Sequence, residues 1–272
     1  MRIQSSPSNA PIALPSPRPW NSVDGTTLAY ERTGAGPLLI LVGGTFNTRH
    51  SVSTLAPLLA PHSTVYAYDR RGRGDSSDTP PYAVEREVED LHALIAAAGG
   101  SALVYGHSSG AALALEATAR GLPITKLAVY EPPYMLDDDR EEPPSDYATR
   151  IQAAVDAGRP DEAAEIFLQD FPPEVIEAIK QAPAWPGMVA TAHTLPYDIA
   201  VVEADGSIPT DRLATIAVPT LAMDGAASPA WAGNAVAAVA EAVPGAQQVT
   251  LDGQDHAVAD AAVAPVLIDF LG

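Results

Sequence analysis

Short continuous apolar runs recur along this chain with helical patterns between them, and that rhythm narrows the fold more than any other feature. PLLILVGG at 37–44 is apolar throughout and ends in glycines, as expected of a strand buried on both faces. TVYAY at 64–68, ALVY at 102–105, LAVY at 127–130 and VPTLAMDG at 218–225 repeat the pattern, and QQVTLDG at 247–253 is a more polar version. TTLAYER at 26–32 alternates, which suits a half-exposed edge strand. Between these runs, 84–98 carries apolar residues at helical spacing and closes on Gly99-Gly100. Segments 53–59, 109–119, 234–242 and 259–270 also read as helices. Strands and helices alternating in this way imply parallel βαβ units with right-handed crossovers. The expected class is α/β: a mostly parallel twisted sheet with helices on both faces.

The rhythm breaks at Glu131. From 132 to 208 the chain offers helical pieces separated by prolines (EEPPSD, FPP, APAWPG) and no convincing strand, and then the alternation resumes. The expected organisation is therefore an extended Pro/Ser-rich arm at 1–19, a core domain formed by 20–131 and 209–272, and an inserted helical lid at 132–208. One α/β domain with such an insertion fits 272 residues.

Composition removes several function classes. With no cysteine there is no thiol nucleophile, disulfide, zinc thiolate site or iron–sulfur cluster. A formal net charge of −19 repels phosphate backbones and anionic headgroups, so neither nucleic acid nor a membrane surface is expected as a partner. No segment reaches about 18 apolar residues without a charge or breaker, and the first twenty residues lack the apolar core of a secretory signal. The expected compartment is cytoplasmic. Homodimerisation stays open.

The chemistry begins at Gly106-His107-Ser108-Ser109-Gly110, a G-x-S-x-G sequence placed between the ALVY run and an Ala/Leu helix. Serine is almost never ionised at neutral pH, so as a nucleophile it needs a base and an exposed position. The two glycines let strand and helix crowd together in a turn that holds Ser108 at the strand tip. An oxyanion needs backbone N–H donors. Ser109, next to the nucleophile at a helix N-terminus, is one candidate. The second is sought in Gly43-Gly44-Thr45-Phe46, with Thr45 as main candidate and Gly44 as alternative. Of six histidines, only His256 lies in a loop between the last strand and the last helix, where it can return to Ser108 as base. The arginines of Asp69-Arg70-Arg71-Gly72-Arg73-Gly74-Asp75-Ser76 read as structural donors that tie loop carbonyls and carboxylates together.

The order Gly43-Gly44, Asp69-x-Arg71-Gly72-x-Gly74-x-Ser76, Gly106-x-Ser108-x-Gly110 and Asp255-His256 closely resembles the α/β-hydrolase superfamily, over nearly the whole chain from about Trp20. The resemblance implies the α/β-hydrolase fold, a Ser-His-acid triad and no metal or organic cofactor. Most relatives carry the acid in G-x-x-D after the strand that here ends at Gly225, and this chain reads Gly225-Ala226-Ala227-Ser228. A serine cannot stabilise an imidazolium as a carboxylate does. Glu131, at the end of LAVY, is the favoured substitute and Asp224 the runner-up. A group of lactone hydrolases is similar in pairing such a glutamate with a Gly-Ala-Ala-small-Pro turn, the form of Gly225 to Pro229. Phe46, Tyr134, Trp185 and Trp231 are expected to line an apolar pocket.

The expected activity is hydrolysis of a small, largely apolar carboxylic ester or lactone through an acyl-enzyme. The same fold and triad also serve cofactor-free perhydrolysis and C–C bond hydrolysis, and some superfamily members only bind a small ligand.

Overall fold

A computed structural model describes residues 19–136, 146–203 and 206–272. The expected arm thus lies outside the described residues except for Pro19. Two short strands, β1 (Trp20–Asn21) and β2 (Thr27–Leu28), form an antiparallel ribbon. The main sheet contains β3 (Tyr30–Thr33), β4 (Leu38–Val42), β5 (Thr64–Tyr68), β6 (Ala102–His107), β7 (Ile124–Tyr130), β8 (Thr220–Gly225) and β9 (Gln247–Leu251). Their order is β3-β5-β4-β6-β7-β8-β9, with only β3 antiparallel to its neighbour.

Alternation along the central strands splits the core into two layers. Ile40 and Val42, Val104, Leu127 and Val129, and Ala222 enter one apolar cluster. Leu39 and Leu41, Leu103 and Tyr105, Ala128 and Tyr130, and Leu221 and Met223 enter the other. A strand whose neighbours cover both faces must be apolar at every position, which is why these segments read as unbroken runs. Helices α2 (Val84–Ala98), α3 (Ser109–Ala119) and α10 (Ala230–Ala242) cover the first face. Helices α1 (Leu55–Leu59) and α11 (Asp260–Leu271) cover the second.

The expected strand 26–32 is divided. The loop after β5 docks across it: Ser76 Oγ accepts the Ala29 N–H at 2.9 Å and the Ala29 carbonyl accepts the Asp69 N–H at 2.9 Å. The backbone of Ala29 is thereby withdrawn from the ladders on either side. Helix α10 begins four residues before its expected start, directly after Pro229, whose fixed φ suits a helix entrance.

Between β7 and β8 the described residues form helices and turns: α4 (Tyr147–Asp156), α5 (Pro160–Phe167), α6 (Pro173–Gln181), α7 (Trp185–Thr191), a 3₁₀ turn at Ala192–Thr194, α8 (Leu195–Val201) and α9 (Thr210–Leu213). Pro160, Pro173, Pro186 and Pro196 sit in the first turns of four of them, where the missing N–H has no helical partner in any case. Ile151, Ala154, Ala163, Ala164, Ile166, Ala192 and Leu195 give this segment its own small apolar core. Among the described residues, no helix is long and apolar enough to cross a membrane.

Candidate active site

Ser108 links β6 to α3 with φ 55° and ψ −127°, a backbone conformation that costs a non-glycine residue on the order of 1–3 kcal/mol. The neighbouring glycines make the turn sterically allowed. A Cβ on Gly110 would stand 2.3 Å from the Val42 carbonyl oxygen, and one on Gly106 2.5 Å from the Gly110 oxygen. The strain is held in place by the Ser108 N–H donating to Tyr130 O at 2.9 Å, while Ser108 O accepts from Ala111 and Ala112.

Glu131 directly follows β7, also at positive φ (44°), and is fully buried. His256 follows β9 in a loop fastened on both sides of the residue. The Tyr130 hydroxyl donates to Asp255 O at 2.7 Å, and His107 Nε2 lies 2.8 Å from His256 O. The outcome is a continuous chain: Ser108 Oγ is 3.1 Å from His256 Nε2, and His256 Nδ1 is 2.7 Å from Glu131 Oε2. Glu131 Oε1 accepts the Gly225 N–H at 2.8 Å and the Ser228 hydroxyl at 2.5 Å. Burial pushes the Glu131 carboxyl up, but these donors outweigh it and hold it below the usual glutamate range. Desolvation lowers His107 to about 4, so it is neutral, and a neutral ring with its proton on Nε2 donates to His256 O.

The other residues singled out from sequence divide. Asp224 is buried, but its Oδ1 accepts the Thr250 hydroxyl at 2.9 Å and Oδ2 lies beside Gly233 of α10, so that carboxylate is engaged away from His256. Thr45 and Ser109 stand side by side, with their hydroxyl oxygens 3.4 Å apart. Gly44 corrects one expectation: its N–H donates to Asn47 Oδ1 at 3.0 Å and is already satisfied. Its part is packing, since a Cβ there would lie 2.8 Å from Ser108 Cβ. Trp231 is half-buried with its ring centroid 6.0 Å from that of His256. Phe46 and Trp185 both pack against the small apolar core of the α4–α8 segment, and Phe46 meets Phe167 edge-on at 5.2 Å. Tyr134 corrects another expectation. It is 2% exposed within the main core, where its hydroxyl feels Glu116, Arg212 and Glu203, so it is a packing residue rather than a pocket wall.

The arginines behave as structural donors. Arg71 is fully buried against Asp90 and Asp24, and Arg70 is paired with Glu87. His50, His62, His92 and His193 are all exposed.

A strained serine turn between strand and helix, a histidine returning after the last strand and a carboxylate behind it occur together on this sheet order. An alpha/beta hydrolase family model matches residues 38–267. The chain belongs to the alpha/beta hydrolase family. Among solved structures of the family, an alpha/beta hydrolase from Sphaerobacter thermophilus is 55% identical, with a TM-score of 0.89 over 94% of this chain and all of that one. The enol-lactonase from Burkholderia xenovorans shares the fold, at 22% identity and a TM-score of 0.74 over 92% of this chain and 98% of that one. The N-formylmaleamate deformylase of Pseudomonas putida is 36% identical over 117 residues, 41% of this chain and 44% of the relative. The chain spans less than half the length of the first curated relatives it matches, 38% and 44%.

The sequence pointed to Ser108, His256 and Glu131, which the structure brings into one hydrogen-bonded chain, and it did not single out three supports. Ser228 read as a lost acid, and its hydroxyl instead donates to Glu131. His107 and Tyr130 act by bonding backbone carbonyls of the His256 loop, for which no residue pattern exists.

Proposed function

We propose that this hydrolase cleaves a small, largely apolar carboxylic ester or lactone through an acyl-enzyme on Ser108. The observation that carries the reading is the hydrogen-bonded chain from Ser108 Oγ through His256 to Glu131, 3.1 Å and 2.7 Å. As Ser108 Oγ attacks the carbonyl carbon, His256 Nε2 takes its proton and Glu131 stabilises the imidazolium through Nδ1–H. The Thr45 and Ser109 amides receive the oxyanion. The C–O bond then breaks, His256 returns the proton to the leaving oxygen, and a water activated by the same histidine releases the acid. The described helices α4 to α8 roof the site, and Trp231, Phe46 and Trp185 give it an apolar lining.

A second reading, hydrolysis of a small amide, is favoured by one observation: the deformylase relative at 36% identity. The test is turnover of short-chain aryl esters, lactones and N-formyl amides by wild type and Ser108→Ala, with fluorophosphonate labelling. Ser108-dependent ester or lactone hydrolysis supports the first reading, and preference for the amide supports the second. A wild type that neither turns over nor labels refutes both and leaves a ligand-binding protein.

A further inference from the structure

Two buried guanidinium groups stand immediately behind the proposed oxyanion donors. Arg70 and Arg73 are 2% and 1% exposed, and a charge so placed demands carboxylates and satisfied donors. Arg70 has a fork-to-fork partner in Glu87, both contacts at 2.6 Å. Arg73 has a different arrangement. Its Nη2 donates to both oxygens of Asp198 at 2.8 and 2.7 Å, its Nε to Thr194 Oγ1 at 3.0 Å, and its Nη1 to the Gly44 carbonyl at 2.7 Å. Asp198 belongs to α8, in the helical segment, and it also accepts Arg70 Nη1 at 2.8 Å and the Ser109 hydroxyl at 2.7 Å. The two arginines hold the Asp198 carboxyl below its usual range despite its burial, so it is ionised.

The Gly44 carbonyl and the Thr45 N–H are the two ends of one peptide unit. The resonance that makes the peptide planar also couples them. A charged donor on the carbonyl oxygen draws electron density from nitrogen, which makes the N–H a stronger donor, and such chains of bonds strengthen one another in a low dielectric. The Arg73–Gly44 bond, together with the Asn47 N–H that donates to the same oxygen at 3.2 Å, also holds the tilt of that peptide, and hence the direction of the Thr45 N–H.

We propose that Arg73, oriented by Asp198 from the helical insertion, is a positioning residue that aims and polarises the Thr45 amide toward the oxyanion. Asp198 also steadies the residue that carries the second donor, by accepting the Ser109 hydroxyl. The insertion is then part of the oxyanion apparatus as well as a roof. This rests on Ser108 being the nucleophile and Thr45 a donor.

The test compares Arg73→Met, Asp198→Asn and the control Asp90→Asn, each corrected for active enzyme by fluorophosphonate titration. Asp90 pairs with Arg71 in an equally buried contact of the same loop, away from the oxyanion turn. Loss of a whole oxyanion donor costs about 10²–10³ in rate. Weakening one through Arg73→Met is expected to lower kcat by about 30-fold, with KM for an aryl ester changed less than about threefold. Inhibition by phenylboronic acid, whose tetrahedral adduct places an oxygen where the oxyanion forms, should weaken by a similar factor. Asp198→Asn should show the same paired losses at about fivefold or more, and it carries the test if Arg73→Met does not fold. Asp90→Asn should lower Tm and leave kcat within about twofold. Folded variants at Arg73 or Asp198 that keep wild-type kcat, or that lose kcat without losing boronate affinity, overturn the proposal. A wild type without Ser108-dependent turnover or labelling sinks the hydrolase reading, and this proposal with it. Normal wild-type turnover with unaffected variants sinks only this one.

Discussion

Replacing Glu131 by glutamine changes one atom and should nearly abolish activity. The carboxylate is engaged on both sides: Oε1 accepts the Gly225 N–H and the Ser228 hydroxyl, and Oε2 faces His256 Nδ1 at 2.7 Å. Glutamine has one acceptor oxygen and one NH₂ donor. The Gly225 N–H can only donate, so the amide oxygen must face it and the NH₂ must face His256. Nδ1 is then an acceptor and the ring proton moves to Nε2, pointing at Ser108, where it cannot take the serine proton. The flipped amide sets NH₂ against a buried N–H and costs about 1–3 kcal/mol, so it offers no escape. Trapping the base in the wrong tautomer lowers kcat by about 10⁴-fold, or about 5.5 kcal/mol at 1.36 per tenfold. The assay is kcat and KM on an aryl ester for Glu131→Gln beside Asp224→Asn. Because Asp224 is occupied by Thr250, its variant should stay within about threefold of wild type. A Glu131→Gln enzyme within tenfold of wild type refutes the reasoning, and an inactive Asp224→Asn moves the acid to that position.

Three further outcomes follow from the same geometry. Ser228 already touches Glu131, so Glu131→Ala/Ser228→Asp should recover at least about tenfold in kcat over Glu131→Ala alone; no recovery means the two positions are not interchangeable. Gly44→Ala puts a Cβ 2.8 Å from Ser108 Cβ and 2.9 Å from His107 O; the overpacking should cost about 1–3 kcal/mol by denaturant melt and at least about tenfold in kcat, and unchanged values show that the elbow yields freely. Burial lowers His107 from 6.5 to about 4, with the His256 ring adding to the shift and the bond to the His256 carbonyl, Glu131 and Asp260 opposing it. Between those pH values the unfolded chain binds a proton that the folded chain does not. The stability this contributes is complete above about pH 6.5 and is lost as pH falls toward 4, by at most about 1.4 kcal/mol per pH unit. His107→Gln retains a donor for His256 O without titrating there, so its stability should fall less steeply over that range; equal slopes disprove the assignment.

Much of the site was legible because its signals are local. Ser108 announces itself through two glycines at fixed offsets, required by steric contacts within one turn. Phe46 adjoins the oxyanion turn in the chain itself, and Trp231 comes three residues after Ser228. Tyr134 misled because three residues after Glu131 the chain turns into the core, and an aromatic side chain serves a pocket or a core equally well. Gly44 misled for a related reason: a glycine beside a nucleophile serves an amide donor or a close packing contact alike, and the Asn47 side chain decides between them.

The sequence by itself determined the layered α/β sheet, because a strand covered on both faces must be apolar throughout and a helix between two sheet strands must show its own period. It also determined that Ser108 and His256 can meet, because the ends of parallel strands converge on one edge of the sheet. Only the tertiary structure shows that Glu131 and not Asp224 turns toward His256, since both stand at the ends of neighbouring strands and nothing local sets which carboxylate faces the ring. The tertiary structure alone also set Asp198 on Arg73, 125 residues apart, and Arg73 on the Gly44 carbonyl. A buried charge pairs with whatever carboxylate the fold brings to it, and nothing in the local sequence of either partner records that meeting.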